Sequence, residues 1–419
     1  MIKGPKGIRD ILPEEIPNWH HMEACIRETM SRFNYKEIRF PTFEETELFT
    51  RSIGVTTDIV EKQMYTFQDA GKRSLTLIPE GTASVVRAYI EHGMAKKSPY
   101  VKLYYISRMY RYESPQAGRY RQHSQFGIEA IGSDRPAQDV EVIQILLETL
   151  KTLGLKQVEL KVNSIGCFDD RMKYTSMLRD YLRPRLEKLC KDCQRRFDSN
   201  PLRSLDCKKE QCIKETGDVP RTVDHMCSDC TRHFDTVKEY LSLLGMEYIV
   251  DPRLVRGLDY YTRTVFEAVS TVLGGQDSLG GGGRYDRLVE ELGGEPTPAA
   301  GFAAGMERIL LAMEKEKVGA KSYPPVDLFI AVLGEKAQVE GMRLAISLRA
   351  QGISCHMDIV GRSLKAQMRQ ADKMGARKVL IIGGDELKSG KAQLKKLETG
   401  AQTEVSLSSS EEISKEVKK

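Results

Sequence analysis

The chain is poor in tryptophan, with one residue, and in aromatics generally, at 7%. It is also poor in net charge: 64 Lys and Arg stand against 59 Asp and Glu, leaving +5. So even a balance neither demands nor excludes a nucleic-acid partner and makes any such contact a question of where the charges sit. No stretch approaches the roughly 18 apolar residues of a membrane span. The opening MIKGPKGIRDILPEEIPNW carries charges and prolines where a signal peptide needs an unbroken apolar run, so a soluble, cytoplasmic chain is expected. Nine cysteines are too few for a disulfide scaffold and odd in number, which favours reduced thiols or a metal site. Collagen, coiled-coil and disordered classes are excluded by composition, and no internal repeat stands out. What is present is 419 residues, 40% of them apolar, enough for two or three domains at roughly 150 residues each.

Along the chain, Ile16, Trp19, Met22, Ile26 and Met30 recur near helical spacing, and KEIRFPTFEE then reads as a strand. From Pro99 to Gly132 two extended runs flank a polar, basic turn, the pattern of a long antiparallel hairpin. Residues 136–154 read as an amphipathic helix with a glycine stop, and KQVELKVNSIG as a buried strand. Between Arg171 and Lys214 the balance shifts to 13 basic against 6 acidic residues, and 168–248, with six of the nine cysteines, reads as an insertion. A break at KVGAKSYPPV precedes strand, helix, strand, helix, strand, a βαβαβ unit whose crossovers favour a parallel sheet. From Val326 onward there are 16 basic and 12 acidic residues, and LSSSEEISKEVKK reads as a polar, frayed end.

Four segments could carry chemistry. With strand period two, His123, Gln125, Gly127 and Glu129 share one face, leaving a floor between an amide and a carboxylate that suits an ammonium group. On the partner strand Arg111 and Glu113 share a face, while Arg119 and Arg121 in the turn could reach phosphates; a solvated hairpin with cross-strand ion pairs is the plain alternative. In VRGLDYYTRTVFE, Arg256, Asp259, Tyr260 and Tyr261 could meet in one pocket, or form an ordinary edge strand. The run Gly280–Gly283 permits close backbone approach and could offer N–H groups to an anion ahead of a short helix, or be a flexible turn; it is neither a Walker A loop nor GxGxxG. In GFAAGMERILLAMEKEK, Met306, Ile309, Leu310 and Met313 form an apolar stripe, with Arg308 on another face, in reach of a triphosphate.

The cysteines fall as C-x2-C (Cys190, Cys193), then Cys207 and Cys212, then C-x2-C (Cys227, Cys230). The two C-x2-C pairs fit a structural tetrahedral zinc site, with His225 and His233 as weaker ligands; buried structural thiols are the alternative.

RMYRYESPQAGRYRQHSQFGIE resembles motif 2 of the class II aminoacyl-tRNA synthetases, and GFAAGMERIL resembles their motif 3. VRGLDYYTRTVFE and LGGGGRYDRLVEELGG are similar to the two signatures of the histidyl-tRNA synthetases, GRSLKAQMRQADKMGA resembles the anticodon-binding domain of that family, and FNYKEIRFPTFEE resembles the motif 1 dimer interface. The likeness covers essentially the whole chain. It implies an α+β class II catalytic domain over 1–325, an antiparallel six-stranded sheet flanked by helices. Within it the insertion 168–248 would approach the tRNA acceptor stem, and 326–419 would be an α/β anticodon-binding domain. It further implies a homodimer that joins L-histidine to ATP with Mg2+, forms histidyl-adenylate and pyrophosphate, and transfers histidine to the 3' end of tRNA(His).

Carried over residue by residue, the resemblance implies that Glu80, Thr82, Gln125 and Glu129 hold the substrate amine and that Tyr260 and Tyr261 line the imidazole pocket. Arg111 would clamp α-phosphate and carboxylate oxygens, Glu113 would take the adenine side, and Arg121 and Arg308 the outer phosphates. Arg256 would stabilise the α-phosphate during attack, making Arg256 and Arg111 the catalytic pair. Ile78 stands where the family commonly has Arg, Ser114 gives ESPQ for ERPQ, and His123-Ser124 gives RQHSQ for RQFHQ or RQFVQ. Two rival functions are a synthetase-like regulatory subunit of histidine biosynthesis and an uncharged-tRNA sensor. The presence of Arg256 and of residues 326–419 argues against the first, and Arg111, Arg256 and Arg308 together against the second.

Overall fold

The computed structural model describes residues 2–54, 57–274, 277–319, 323 and 325–419. The chain divides into two compact units, Met1–Lys321 and Ser322–Lys419. Part of the expected break at 317–326 lies outside the described residues.

The first unit is organised by six antiparallel strands: β1 (Val101–Tyr110), β2 (Gln122–Ile131), β3 (Val158–Ser164), β4 (Thr262–Ser270), β5 (Ser278–Arg284) and β6 (Ala299–Gly305). Their spatial order is β1-β2-β6-β5-β4-β3, and two-residue strands at Lys36–Glu37 and Ile249–Val250 pair in parallel with the two edges, making eight in all. The stretch read as one strand at 36–45 is two short pieces, Lys36–Glu37 and Phe43–Glu45, with Pro41 between them. Proline cannot donate to a ladder, so pairing stops there. Phe43–Glu45 instead joins Ser74–Leu77 and Tyr65–Gln68 in a small separate sheet.

Alternation sorts the hairpin by face. Phe126, Ile128 and Ala130 of β2 are fully buried in a core shared with the helices Ile16–Arg32, Pro136–Thr152 and Ser228–Leu243. Trp19, Met22, Ile26, Ile143, Leu146, Phe234 and Leu241 come from those helices, each full burial stabilising by roughly 1.5–3 kcal/mol. The opposite face carries Gln125, Gly127 and Glu129. Helix Pro136–Thr152 ends where expected, before Gly154 at φ +86°. Residues 168–248 lie inside the first unit, and their last helix packs on the sheet's helical side.

The glycine run is not a turn. Gly280–Gly283 forms the middle of β5, between β6 and β4. A Cβ on Gly282 would lie 2.0 Å from the Gly301 carbonyl oxygen, and one on Gly280 would lie 2.6 Å from Ala304 Cβ, so the close approach of neighbouring strands is what demands glycine.

The second unit holds β7 (Leu328–Val332), β8 (Cys355–Met357), β9 (Lys378–Ile382), β10 (Lys391–Lys396) and β11 (Gln402–Ser406), in the order β8-β7-β9-β10-β11. The first three are parallel, as the βαβαβ pattern predicts, and β10 and β11 extend the sheet antiparallel. The end of the chain is a helix, Ser410–Lys418, not a frayed tail. Ser409 caps it by accepting the Glu412 N–H, and Ile413 and Val417 are buried in the unit's core.

Candidate active site

The polar face of the sheet opens into a cavity whose wall includes Glu80, Thr82, Arg111, Glu113, Arg119, His123, Gln125, Arg256, Tyr260, Tyr261 and Arg308, with Gly280 and Gly281 beneath. Four guanidinium groups from three separate stretches of sequence therefore share one concavity. Arg111 follows β1, Arg119 sits in the hairpin turn, Arg256 precedes β4 and Arg308 lies in the first turn of helix Met306–Glu316.

Their surroundings show how much positive charge is concentrated there. Burial lowers the pKa of Arg308 and Arg119, and Arg111 lowers both further. Burial, reinforced by Arg111 and Arg308, pushes His123 down to about 3, so its imidazole is neutral at physiological pH. Arg111 is aimed by its Nε, which donates to the Pro79 carbonyl at 2.7 Å. Arg308 donates from Nη1 to the Ser278 carbonyl at 3.0 Å. Arg256 donates from Nη1 to Glu267 Oε1 at 3.1 Å and lies 5.8 Å from the Tyr261 ring centroid. Ser278 Oγ donates to the same Glu267 oxygen at 2.6 Å. The guanidinium of Arg256 rests on Gly281, where a Cβ would come within 2.7 Å of Nη1.

Next to the cations lies an acidic corner. Glu80 accepts the N–H groups of Thr82 (2.9 Å) and Ala83 (2.8 Å), closing the start of helix Thr82–Glu91, and Tyr260 Oη donates to it at 3.4 Å. Burial raises the Glu80 pKa against those amide bonds and the Arg111 charge. Glu129 is fully buried behind Thr82, whose hydroxyl donates to it at 2.7 Å, and it also accepts from Tyr285 Oη. Desolvation pushes its pKa up to about 8, against the two hydroxyl bonds. Buried polar atoms here lack partners: Gln125 Oε1, His123 Nδ1, Arg256 Nε and Tyr105 Oη. Such atoms are costly unless a ligand satisfies them.

Most of the residues singled out from sequence are brought together; some are not where the pattern put them. The floor at Gly127 is filled by Tyr105, its cross-strand partner, since a Cβ on Gly127 would meet Tyr105 Oη at 2.4 Å. Glu129 lies behind the wall, not on it. Strand β1 stops at Tyr110, so Arg111 and Glu113 share no strand face, and Glu113 is ion-paired to Arg119. Arg121 points away from the cavity: its Nε donates to the Glu113 carbonyl at 3.2 Å and its guanidinium stacks 3.8 Å from the Tyr112 ring centroid. Ile78 is buried among apolar side chains and Ser114 is exposed, while Ser124 N–H donates to Glu307 at 2.8 Å. The zinc set Cys190, Cys193, Cys227 and Cys230 is split between two places, because Cys227 and Cys230 group with Cys167 and Asp170. His233 bonds Asp139 at 2.7 Å and not a thiol. Glu267, Tyr105 and Tyr285 went unmarked. Glu267 had a signal, as the single acid inside the apolar run VFEAVS, whereas no pattern sets the two tyrosines apart.

Residues 7–309 match the histidyl-tRNA synthetase family model, and residues 327–417 match that of the anticodon binding domain. The chain belongs to the histidyl-tRNA synthetase family. It is 51% identical to the histidine–tRNA ligase of Acetivibrio thermocellus over 97% of this chain and 98% of the relative. With that of Natranaerobius thermophilus it is 50% identical over 100% and 99% of the two chains. The crystal structure of apo Staphylococcus aureus histidyl-tRNA synthetase superposes with a TM-score of 0.82 at 40% identity, covering 100% of both chains. The family's catalytic fold thus accounts for the sheet, and its signature segments are the ones that surround the cavity.

Proposed function

We propose that the chain is a histidine–tRNA ligase: it activates L-histidine with ATP to histidyl-adenylate, releasing pyrophosphate, and passes histidine to the 3' end of tRNA(His). The observation that carries the reading is the convergence of Arg111, Arg256 and Arg308 on one cavity beside Glu80, Thr82 and Gln125. Attack of a carboxylate oxygen on the α-phosphorus needs no side-chain nucleophile. It needs the reactants aligned and the charge growing on nonbridging oxygens met by fixed cations in a water-poor site.

In this assignment Glu80, Thr82 and Gln125 take the ammonium group, with Glu129 supporting it through the Thr82 hydroxyl. Tyr260 and Tyr261 border the imidazole. Arg111 bridges the histidine carboxylate and the α-phosphate, Arg256 meets the α-phosphate in the transition state, and Arg308 takes the outer phosphates. Arg121 joins the outer phosphates only after leaving Tyr112, and Glu113 turns to the adenine only after leaving Arg119. Of the wall carboxylates, Glu113 is paired with Arg119, Glu80 accepts two peptide N–H groups and Glu307 accepts the Ser124 N–H, so Mg2+ would be held chiefly by the triphosphate, whose charge it would offset. The helical stretch 168–248 meets the acceptor stem, residues 326–419 bind the anticodon, and the enzyme works as a cytoplasmic homodimer through the segment 33–45. Among the described residues no helix is long and apolar enough to cross a membrane.

ATP–pyrophosphate exchange with a panel of twenty amino acids tests the reading. Exchange should respond to histidine alone, and response to another amino acid refutes the assignment of substrate. Binding of tRNA(His) should weaken steeply with salt, because the 171–214 stretch and the second unit are basic.

A further inference from the structure

Away from the cavity, four of the nine cysteines converge. Cys190 precedes the short helix Lys191–Arg196 and Cys193 lies within it; Cys207 follows the turn Pro201–Ser204, and Cys212 lies in helix Glu210–Glu215. Their four sulfurs lie within 4.8 Å of one another, with Cys190 Sγ and Cys207 Sγ 3.9 Å apart. We propose that Cys190, Cys193, Cys207 and Cys212 bind one zinc ion as a tetrathiolate.

The geometry fits the ion. Zinc–sulfur bonds of about 2.3 Å arranged tetrahedrally put the sulfurs about 3.8 Å apart, so these four need only small shifts to close on a shared centre. A disulfide needs sulfurs at about 2.05 Å, which 3.9 Å does not approach. The spacing C-x2-C, thirteen residues, then C-x4-C supplies two ligands from short helices, Cys193 and Cys212, and two from the chain just ahead of them, Cys190 and Cys207. The Cys190 N–H already donates to Cys212 Sγ at 3.2 Å, a bond that strengthens when the sulfur carries a thiolate charge. On binding, four thiols give up their protons to solvent and four sulfur–zinc bonds form, leaving a site of charge −2. Lys188, Lys191, Lys208 and Lys209 lie in the same stretch of sequence, with Lys208 paired to Asp277 at 3.1 Å and Lys209 to Asp192 at 3.5 Å.

The second cysteine group, Cys167, Asp170, Cys227 and Cys230, is differently employed. Both oxygens of Asp170 accept peptide N–H groups, from Cys227 at 3.0 Å and Cys167 at 3.3 Å, and Cys227 is exposed. That carboxylate caps backbone, so one ion per chain is assigned, not two.

The position suggests what the ion does. Between the two cysteine pairs, Arg196 pairs with Asp58 and Asn200 Nδ2 donates to Asp259 Oδ1 at 2.8 Å. Asp259 adjoins Tyr260 of the cavity wall. A metal gathering the short helices of 190–215 braces the segment that holds that wall.

The test uses the full chain, purified with reductant and refilled with Zn2+, and counts metal by mass spectrometry. One zinc per chain is expected. The double variant Cys190→Ser, Cys212→Ser should lose it, while Cys227→Ser, Cys230→Ser should keep it. Should the first variant fail to fold, exchange of Co2+ into the unaltered chain still decides: intense visible bands of a tetrahedral ion with sulfur-to-cobalt charge transfer are expected. Stoichiometry far below one, two ions per chain, retention by the first variant, or the weak bands of an octahedral cobalt ion would each overturn the proposal.

Discussion

Two buried carboxylates in the first unit meet opposite fates. Asp139, in helix Pro136–Thr152, is desolvated, yet the Arg284 guanidinium and His233 hold its pKa below the usual range. Arg284 is itself fully buried and also paired with Asp286 at 3.1 Å, so every charge in that cluster has a counter-charge from the chain. Glu129 is equally buried, but it receives only the hydroxyls of Thr82 and Tyr285, and desolvation wins. The first cluster is complete as folded. The second is short of a counter-charge from the chain, so Glu129 keeps its proton near neutral pH. On the neighbouring wall the imbalance has the opposite sign, with more guanidinium than carboxylate, which suits the triphosphate proposed to bind there.

This contrast can be broken by experiment. The largest effect belongs to Arg284→Met. Stranding Asp139 without its main cation should cost about 3–5 kcal/mol in urea unfolding, while pyrophosphate exchange per folded molecule stays as in the parent. A large loss of exchange at unchanged stability would erase the distinction between the clusters. Arg256→Ala should do the reverse, lowering exchange by about 10²–10³ with little change in melting temperature and a smaller change in histidine affinity. Gly281→Ala places a Cβ 2.7 Å from Arg256 Nη1 and from the Phe266 carbonyl oxygen, and should reduce exchange in the same sense but less, since the long side chain can partly retreat.

A test of a different kind sharpens the contrast through pH. The Glu129 pKa is raised from about 4.5 to about 8, so the folded state holds a proton that the unfolded state releases between those values. Stability from this group therefore falls as pH rises through that window and is level above it. Glu129→Gln should gain on the parent in unfolding free energy from about pH 4.5 to about pH 8, with no further gain beyond. A constant difference across the window would place an ionised carboxylate there from the start.

Much of the site was legible in the residues because strands and helices keep strict periods. The two-residue repeat put His123, Gln125 and Glu129 on one face, and the motif-like segments carried Arg111, Arg256 and Arg308 to the same cavity. Periodicity says nothing where side chains are absent, so for Gly280–Gly283 both backbone approaching a ligand and a flexible turn stay open from sequence; only the crowding of β6 and β4 makes it a strand. Nor does it mark a polar atom inside a core residue, so nothing in the pattern distinguishes Tyr105 and Tyr285 from their apolar neighbours. Cysteine partnership depends on which helices meet, and the tandem C-x2-C spacing pointed to a set the fold keeps apart. The terminal helix was missed because its anchors, Ile413 and Val417, are only two among polar neighbours.

The double duty of Glu80 limits how this protein could be reshaped. The carboxylate proposed to grip the incoming amine also ties down the opening turn of Thr82–Glu91 through two peptide hydrogens. An altered amino-acid preference therefore could not evolve by exchanging this side chain alone. The replacement would have to restore the anchor as well, so a drift towards a new substrate would more readily begin at Tyr261 or Gln125, where no backbone hangs on the outcome.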